Sequence, residues 1–437
     1  MFTKLKRIFS NPDIVKKITF TFIILLVFKL GTYLPIPLID TVGVRKMLSG
    51  NSFITILNTF SGGGLKSFSI LALGISPYIT AEIVVQMLSI IIPKLKEWQE
   101  QGEQGKAKTN RVTRYLTVVV AFIQALALLF GLGTRPENIL KADVLIDKDM
   151  FWLFYIYMAI VITAGSAFVM WLADLITRHG IGNGSSMIIV AGIVTSIPSM
   201  FTLLWSKYIS DGVSPSSVFS FIIIIVLFIL MILLVVFMEG AKRRIPIQYA
   251  NRQGNSKSDI PVKLNVSGVI PVIFASTILS IPLTIIGMMG LEADKNSSNL
   301  GYWFDQIFNY SQPIGMLIYV VLIYFFAFFY SFMQMDPDKI AENLSKSGAY
   351  IPGYRPGEDT KIQLSKILFR VTLIGATYLV FVALVPIIVA LVFNFSSAEK
   401  STITVGGTSL LIVVGVAIET AKQLETDSET ETYKGIL

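Results

Sequence analysis

The chain has 437 residues, of which 53% are hydrophobic and only 15% are charged. Soluble domains carry about 25% charged residues, so this composition excludes a soluble globular protein and indicates an integral membrane protein. The chain contains no cysteine, which excludes disulfides and thiolate chemistry.

Ten apolar runs of spanning or near-spanning length predict a polytopic, all-α membrane domain with ten transmembrane helices. The runs lie at about Ile18–Leu34, Gly74–Ile92, Tyr115–Leu132, Phe151–Leu175, Met187–Leu204, Val218–Met238, Val269–Met289, Ile314–Met333, Ile367–Phe393 and Thr402–Ile418. We expect no cleavable signal peptide, because Met1–Lys17 is basic and polar and the first run has no small-residue cleavage site.

The distribution of lysine and arginine predicts the orientation of the spans. With the N-terminus inside, the internal segments hold 25 of the 36 basic residues and the external segments hold 9. Lys29 and Arg370 lie within spans one and nine. Because basic residues concentrate in cytoplasmic loops, both termini are predicted to be cytoplasmic. The net charge of +8 is therefore mostly a consequence of topology rather than a nucleic-acid signature.

The stretch Phe60–Ile92 predicts a helix that is broken at membrane depth. Three glycines precede a short, weakly apolar segment (Ser67–Leu73), which we expect to be half a helix, and Gly74 and Pro77 then interrupt it before the long run of span two. Freed backbone groups find no water in lipid, so such a break is tolerated where it is buried in protein or lines a cavity. A surface loop that enters an ordinary span is the alternative interpretation.

Two loops that are predicted to be cytoplasmic carry arginines that the orientation of the spans does not require. Arg243 and Arg244 follow span six directly, on a loop that we expect to be flexible. Arg355 lies between spans eight and nine, flanked by Gly353, Pro356 and Gly357, which favours a tight turn that presents the guanidinium outward. Arginine suits recognition of carboxylate or phosphate, although a merely solvated loop is an equally good interpretation.

A weak internal repeat relates the second and the seventh span. Span two begins GISPYITA at Gly74 and span seven begins GVIPVIFA at Gly268, so both read G-x-x-P-x-I-x-A. Matching Gly/Pro-interrupted segments in two halves indicate an inverted repeat with the functional path at its interface.

At these residues the chain resembles the SecY family, the channel subunits of the bacterial protein-export translocase. The matching segments are KLGTYLPIPLID (Lys29–Asp40), FSGGGLKSFSILALGISPYITA (Phe60–Ala81), RHGIGNGSSMIIVAGIV (Arg178–Val194), GVIPVIFAS (Gly268–Ser276), SGAYIPGYRPGEDT (Ser347–Thr360) and GGTSLLIVVGVAIE (Gly406–Glu419). The chain departs from the family pattern at Leu38, where glycine is usual, and at Glu82, where small residues are usual.

The resemblance implies two inverted five-helix halves around a pore, residues 1–204 and 205–422, with a disordered cytoplasmic tail at 423–437. It implies a constriction ring of six isoleucines, namely Ile75, Ile79, Ile189, Ile193, Ile273 and Ile412. It also implies a plug that closes the pore from outside, formed by Phe60, Ser61, Gly62, Gly63, Gly64, Leu65, Lys66, Ser67, Phe68, Ser69, Ile70, Leu71, Ala72 and Leu73.

A lateral gate is implied between spans two and three on one side and seven and eight on the other, where signal sequences bind and transmembrane segments leave for the lipid. Polar residues within these spans suggest a gate-side network of Gln86, Gln124, Ser276 and Thr277. The resemblance further implies that Arg243, Arg244 and Arg355 dock the motor ATPase SecA or the ribosome. The membrane partners would be SecE and SecG, and the location would be the bacterial plasma membrane.

Catalytic chemistry finds no support in the sequence. The one histidine, His179, lies beside Arg178 at a span end, and the glycine-rich Gly180–Ser186 lacks the lysine of a phosphate-binding loop. We therefore expect no metal, no cofactor and no enzyme activity, with ATP used by the partner motor. The rival classes are an ion-coupled transporter, which should place ionisable residues at the midplane, and a membrane enzyme, which needs a His/Asp or metal constellation.

Overall fold

The computed structural model describes residues 11–37, 39, 58, 61–65, 67–131, 151–195, 197–210, 215–249, 258–288, 300–310, 312–393, 395 and 397–434. The helices of the N-terminal half are α1 (Pro12–Gly31), α2 (Ser76–Ile91), α3 (Pro93–Glu100), α4 (Glu103–Gly131), α5 (Phe151–His179), α6 (Gly184–Val194) and α7 (Ile197–Trp205), with a π-helical turn at Ser206–Ser210. Those of the C-terminal half are α8 (Pro215–Gly240), α9 (Ile270–Met288), α10 (Leu300–Phe308), α11 (Pro313–Gln334), α12 (Pro337–Lys346), α13 (Glu358–Val392) and α14 (Ser397–Lys434).

Every predicted apolar run coincides with helix, and span five is divided into α6 and α7. Among the described residues, six helical stretches are long and apolar enough to cross a membrane. These stretches are Gln104–Phe130, Trp152–His179, Gly184–Ile209, Ser217–Gly240, Pro313–Lys346 and Glu358–Val392. Span seven contributes a shorter apolar helix, Ile270–Leu283.

Local sequence explains where the helices begin. The side chain of Asn11 accepts a hydrogen bond from the backbone N–H of Asp13 (3.1 Å), and Pro12 occupies the first turn of α1, where its missing N–H costs nothing. Helix α13 begins at Glu358, earlier than the predicted span, directly after Gly357 with φ of 100°. Glu358 and Asp359 in its first turn complement the helix dipole.

The two halves meet along two seams. Helix α9 packs against α4 and α2 at one seam, and α14 packs against α6 at the other. The largest buried apolar cluster draws side chains from both halves, from Ile24 of α1 to Val416 of α14. The largest cluster of the core therefore spans both halves.

A small sheet joins the two long segments that follow α8 and α11, and the sequence analysis does not predict it. Strands β1 (Lys242–Tyr249), β2 (Ser258–Lys263) and β3 (Ala349–Tyr350) are antiparallel in the order β2-β1-β3. Ile245 and Ile247 alternate inward along β1 and pack on apolar residues of α12 and α13. The two loops consequently form one folded module.

The C-terminal segment differs from the prediction of disorder, because α14 continues as a helix to Lys434. Its C-terminal extension is tied to α1 by an ion pair between Lys17 Nζ and Asp427 Oδ2 (3.2 Å). Ser428, the residue after Asp427, is buried. A tertiary contact thus orders a segment whose composition alone indicates a disordered tail.

Candidate functional site

The six predicted ring residues lie together in one buried apolar cluster. They come from four helices: Ile75 and Ile79 from the start of α2, Ile189 and Ile193 from α6, Ile273 from α9 and Ile412 from α14. Each is between 0% and 7% exposed, so all six side chains are buried. Isoleucine is stiff because its Cβ is branched, and apolar constrictions in channels can close a path by dewetting.

The predicted plug is not a half-helix. Residues 61–65 and 67–74 form consecutive turns, in which Phe68 N–H bonds to Leu65 O (3.0 Å) and Ala72 N–H bonds to Ser69 O (3.0 Å). The expected helix does not propagate because Phe68 takes a φ of 43°, a conformation that ends a right-handed helix. Phe60 and Lys66 lie outside the described residues.

The plug connects two apolar clusters. Its Leu71 belongs to the cluster that contains the isoleucine ring. Leu65, Phe68, Ala72 and Leu73 belong to a second cluster with residues of α4 and α5. The plug segment therefore lies against the ring and is held by the N-terminal half.

Two backbone hydrogen bonds join the plug to the residues that follow α1. Ile36 N–H donates to Phe68 O (3.1 Å) and Ile70 N–H donates to Leu34 O (3.0 Å), which forms a short antiparallel bridge around Pro35 and Ser69. These bonds satisfy backbone groups that an unwound segment would otherwise leave unpaired at membrane depth.

Two further hydrogen bonds that involve a side chain join the plug to α1 and to the residue that follows it. Lys29 Nζ donates to Gly62 O (2.8 Å), and Ser67 Oγ donates to the carbonyl of Thr32 (2.8 Å). The sequence analysis places Lys29 within span one but assigns it no role. A lone cation in an apolar run is the signal that could have identified it.

The four predicted gate residues lie on α2, α4 and α9, the helices that meet at this seam. Gln124 Nε2 donates to Thr80 Oγ1 (3.4 Å), which joins α4 to α2. Ser276 and Thr277 both donate to the carbonyl of Ile273 in their own helix, at 2.9 and 2.8 Å. Gln86 of α2 makes a side-chain hydrogen bond with Tyr330 of α11, which connects the two halves.

A small polar cavity marks the seam itself. Its lining combines both halves, with Leu73, Ser76, Thr80, Gln124 and Leu128 on one side and Thr277, Ser280 and Ile281 on the other. Hydroxyl and amide groups from the two halves therefore face each other here across a gap.

Glu82, the departure noted in span two, is directed toward Gln86 of the same helix. Gln86 Nε2 lies 3.5 Å from Glu82 Oε1, at the limit of a hydrogen bond. The amide oxygen of Gln86 is buried without a hydrogen-bond partner. Both groups belong to α2, so this polar pair lies on the N-terminal side of the predicted gate.

The three predicted docking arginines belong to the module that contains the sheet. Arg243 and Arg244 lie on β1, a paired strand rather than the flexible loop expected, and Arg244 Nη1 lies 3.6 Å from Asp259 Oδ2 of β2. Arg355 is exposed on the predicted turn, and its carbonyl accepts a bond from Thr360 Oγ1 (2.8 Å). Gln248 of β1 pairs with Tyr350 of β3, so one sheet positions both arginine-bearing segments.

Within the described parts of the chain, no three His, Cys, Asp or Glu side chains are grouped so that they could hold a metal ion. His179 ends α5 and lies edge-on to the ring of Phe20 at 6.0 Å between centroids. The described site thus consists of a buried apolar cluster that contains the predicted ring residues, the predicted plug segment against it and a sheet module with exposed arginines.

Comparisons with known proteins agree with this arrangement. The SecY family model matches residues 69–421. The protein translocase subunit SecY of Staphylococcus epidermidis is 42% identical over 443 residues, which cover 100% of this chain and 99% of that relative.

Two solved structures share the fold. One, described as a protein-conducting channel, matches with a TM-score of 0.64 at 20% identity, covering 94% of this chain and 91% of that one. Another, described as a SecY whose plug domain stabilises the closed state and maintains a membrane seal, matches with a TM-score of 0.62 at 18% identity and the same coverage. The full-length identity and the family match together show that this chain belongs to the SecY family of protein translocase subunits.

Proposed function

We propose that this SecY-family channel subunit passes unfolded polypeptide between its two halves, residues 1–204 and 205–422, through the isoleucine ring. The observation that carries the proposal is the burial in one cluster of six isoleucines from four helices of both halves. A pore for arbitrary sequences must not bind any side chain strongly, and an apolar ring seals around a chain without selecting its charge.

In the resting state the plug segment, Phe60–Leu73, closes the path on the external side of the ring. Its described residues are almost completely buried between the ring and helices α4 and α5. Passage of a chain then requires the plug to leave this position. Turns offer less resistance to such a movement than a continuous helix, because fewer hydrogen bonds must break together.

The side exit for transmembrane segments lies at the seam where α2 and α4 meet α9. The cavity between Thr80, Gln124 and Thr277 is a place along this seam where the two halves leave a gap. A signal sequence that inserts here would replace a polar, imperfectly packed contact with an apolar one, which favours hydrophobic signals.

The cytoplasmic sheet module presents Arg243, Arg244 and Arg355 to a motor ATPase of the SecA type or to the ribosome. All three guanidinium groups belong to exposed residues. The module faces the cytoplasm in the plasma membrane, with both termini on the same side, and SecE and SecG complete the membrane complex. No cofactor is assigned to this chain, because ATP is consumed by the motor.

Reconstitution tests the proposal directly. The purified chain is incorporated into vesicles with SecE and SecG, and SecA, ATP and a preprotein are added. We expect the preprotein to become protected from external protease only when ATP and SecA are both present. ATP-dependent protection that persists without this chain would refute the proposal, as would a complete complex that protects nothing.

A further inference from the structure

Lys29 makes an unusual contact for a cation within an apolar span. It is half-buried near the external end of α1, and its ammonium group donates a hydrogen bond of 2.8 Å to the carbonyl of Gly62 in the plug. The ammonium also lies 5.0 Å from the ring centroid of Tyr33, within the range of a cation–π contact. Over the described residues it forms no ion pair with a carboxylate, so the plug is its main polar partner.

The backbone conformation of Gly62 and the space around it require a glycine at this contact. Its φ is 68°, which a residue with a side chain rarely adopts. A Cβ at this position would lie 3.2 Å from the Cα of Gly192 in α6 and 3.3 Å from the ring of Phe28. The plug therefore approaches α1 and α6 closely at the residue whose carbonyl Lys29 binds.

A second glycine supports the other end of the plug. A Cβ on Gly165 of α5 would lie 1.9 Å from the carbonyl oxygen of Ile70, a distance that no real contact allows. Gly165 thus permits the plug backbone to lie directly against α5. Lys29 and Gly165 contact the plug at positions 62 and 70, near its two ends.

We propose that Lys29 is a positioning residue that latches the plug in its closed position, and that Gly165 forms the surface on which the plug rests. This inference depends on the proposed function, because it assumes that the plug moves during transport. The latch is charge-assisted, because the donor is an ammonium group. Loss of the latch should therefore favour the open position without changing the isoleucine ring.

The absence of cysteine from the chain provides a clean reporter of plug position. Ser69 is fully buried, and its hydroxyl has no hydrogen-bond partner, so Ser69→Cys removes no bond and leaves a thiol that is protected while the plug is closed. The variant is assembled with its partner subunits in lipid nanodiscs. The rate of labelling by a bulky, water-soluble maleimide then measures how often the plug leaves.

With this reporter, Lys29→Met should raise the resting labelling rate about ten- to a hundredfold, the range expected when a hydrogen bond to a charged group is lost. Lys29→Arg should restore slow labelling, since a guanidinium can also donate to the carbonyl. Lys16→Met is the matched control, because Lys16 lies on the same helix but is exposed and paired with Asp13 at the surface. Lys29→Leu, a second variant that cannot donate a hydrogen bond, takes the place of Lys29→Met if that variant fails to assemble.

Gly165→Ala tests the resting surface in the same assay. The added methyl group must displace Ile70, so labelling of Ser69→Cys should again accelerate. Gly240→Ala is its matched control, since a Cβ there meets nothing within 4 Å. If Gly240→Ala also accelerates the labelling, the reporter responds to general destabilisation. The proposed role of Gly165 would then be wrong.

The outcomes separate the latch from the proposed function. In one outcome, labelling rises in the wild-type background during motor-driven transport, but the resting labelling rate is unchanged in the Lys29 variants that cannot donate a hydrogen bond. This outcome would overturn the latch alone. Transport that proceeds without any rise in labelling would refute a moving plug and the latch with it. Fast labelling in Lys29→Met that Lys29→Arg reverses would establish the inference.

Discussion

At the residue scale, the proposed seal depends on side chains that cannot hydrogen-bond. The six isoleucines of the proposed ring are buried in one apolar cluster, where an amide must either remain unpaired or bring in water. We therefore expect a single polar substitution in the proposed ring to change the permeability of the resting channel.

Replacing Ile273 with asparagine is expected to hydrate the constriction and to raise ion leakage at rest several-fold. Ile273→Val, which keeps the position apolar and removes one methylene, is the size control and should remain tight. Conductance across planar bilayers measures the effect. If Ile273→Asn is as impermeable to ions as the wild type, the assignment of the ring is wrong.

Substitutions of Arg355 can separate the effect of its charge from the effect of its planar guanidinium group. Arg355→Glu should abolish motor-driven transport, because loss of a desolvated charge pair at an interface costs about 2–5 kcal/mol. Arg355→Lys should also be impaired, since an ammonium group cannot reproduce the planar guanidinium fork. Transport of a preprotein into vesicles is the measurement, with ion leakage recorded in parallel.

Lys339→Glu provides the control for Arg355, because Lys339 is exposed on the same cytoplasmic module and undergoes the same change of charge. It should transport normally. Normal transport by Arg355→Glu would exclude a docking role, and leaky vesicles would mean that Arg355 supports the fold instead.

At the scale of elements, the plug is a set of turns attached to the end of α1 by a two-stranded bridge. Pro35 and Ser69 face each other in this bridge, with hydrogen bonds on both sides of the pair and none within it. In such a non-hydrogen-bonded pair the Cα atoms lie about 4.5 Å apart, a separation that a disulfide can span.

A channel that carries Pro35→Cys and Ser69→Cys together should form this disulfide on oxidation and lock the plug. Transport should stop and should recover on reduction, while each single cysteine variant should be unaffected by oxidant. Protease protection of a preprotein under oxidising and reducing conditions measures the effect. Full transport through the oxidised double variant would argue against a plug that leaves its position.

At the scale of the whole molecule, the two seams between the halves differ in character. The seam of α2 and α4 with α9 contains the polar cavity, whereas α6 and α14 contact closely, with Thr420 Oγ1 3.8 Å from Met187 Sδ. If the halves separate sideways, the first seam should open and the second should remain closed.

Crosslinking distinguishes the seams. A short bifunctional thiol reagent that joins Thr80→Cys to Thr277→Cys should block both transport and the lateral release of a transmembrane segment. The same reagent between Met187→Cys and Thr420→Cys is the matched control and should leave transport intact. A block by the second crosslink, or none by the first, would contradict an opening at the α2/α4–α9 seam.

Local patterns in the sequence were sufficient for the spans, whereas the ring remains a prediction that rests on the repeat and on the family resemblance. Hydropathy depends on neighbouring residues only, so all ten apolar runs could be predicted and each coincides with helix. The ring isoleucines could be assigned because Ile79 and Ile273 share a repeat and the other four lie in segments that match the family. Arg355 could be placed on an exposed turn because glycine and proline surround it.

Contacts between distant segments were decided only by the tertiary structure. The sequence alone indicated half a helix before Gly74, but pairing of residues 34–36 with 68–70 holds that segment as turns. It also indicated a flexible loop at Arg243 and Arg244 and a disordered tail, but β1 pairs with β2 and Asp427 pairs with Lys17. Lys29 shows the reason most clearly, because its partner Gly62 lies 33 residues away and no local pattern specifies a hydrogen bond between them.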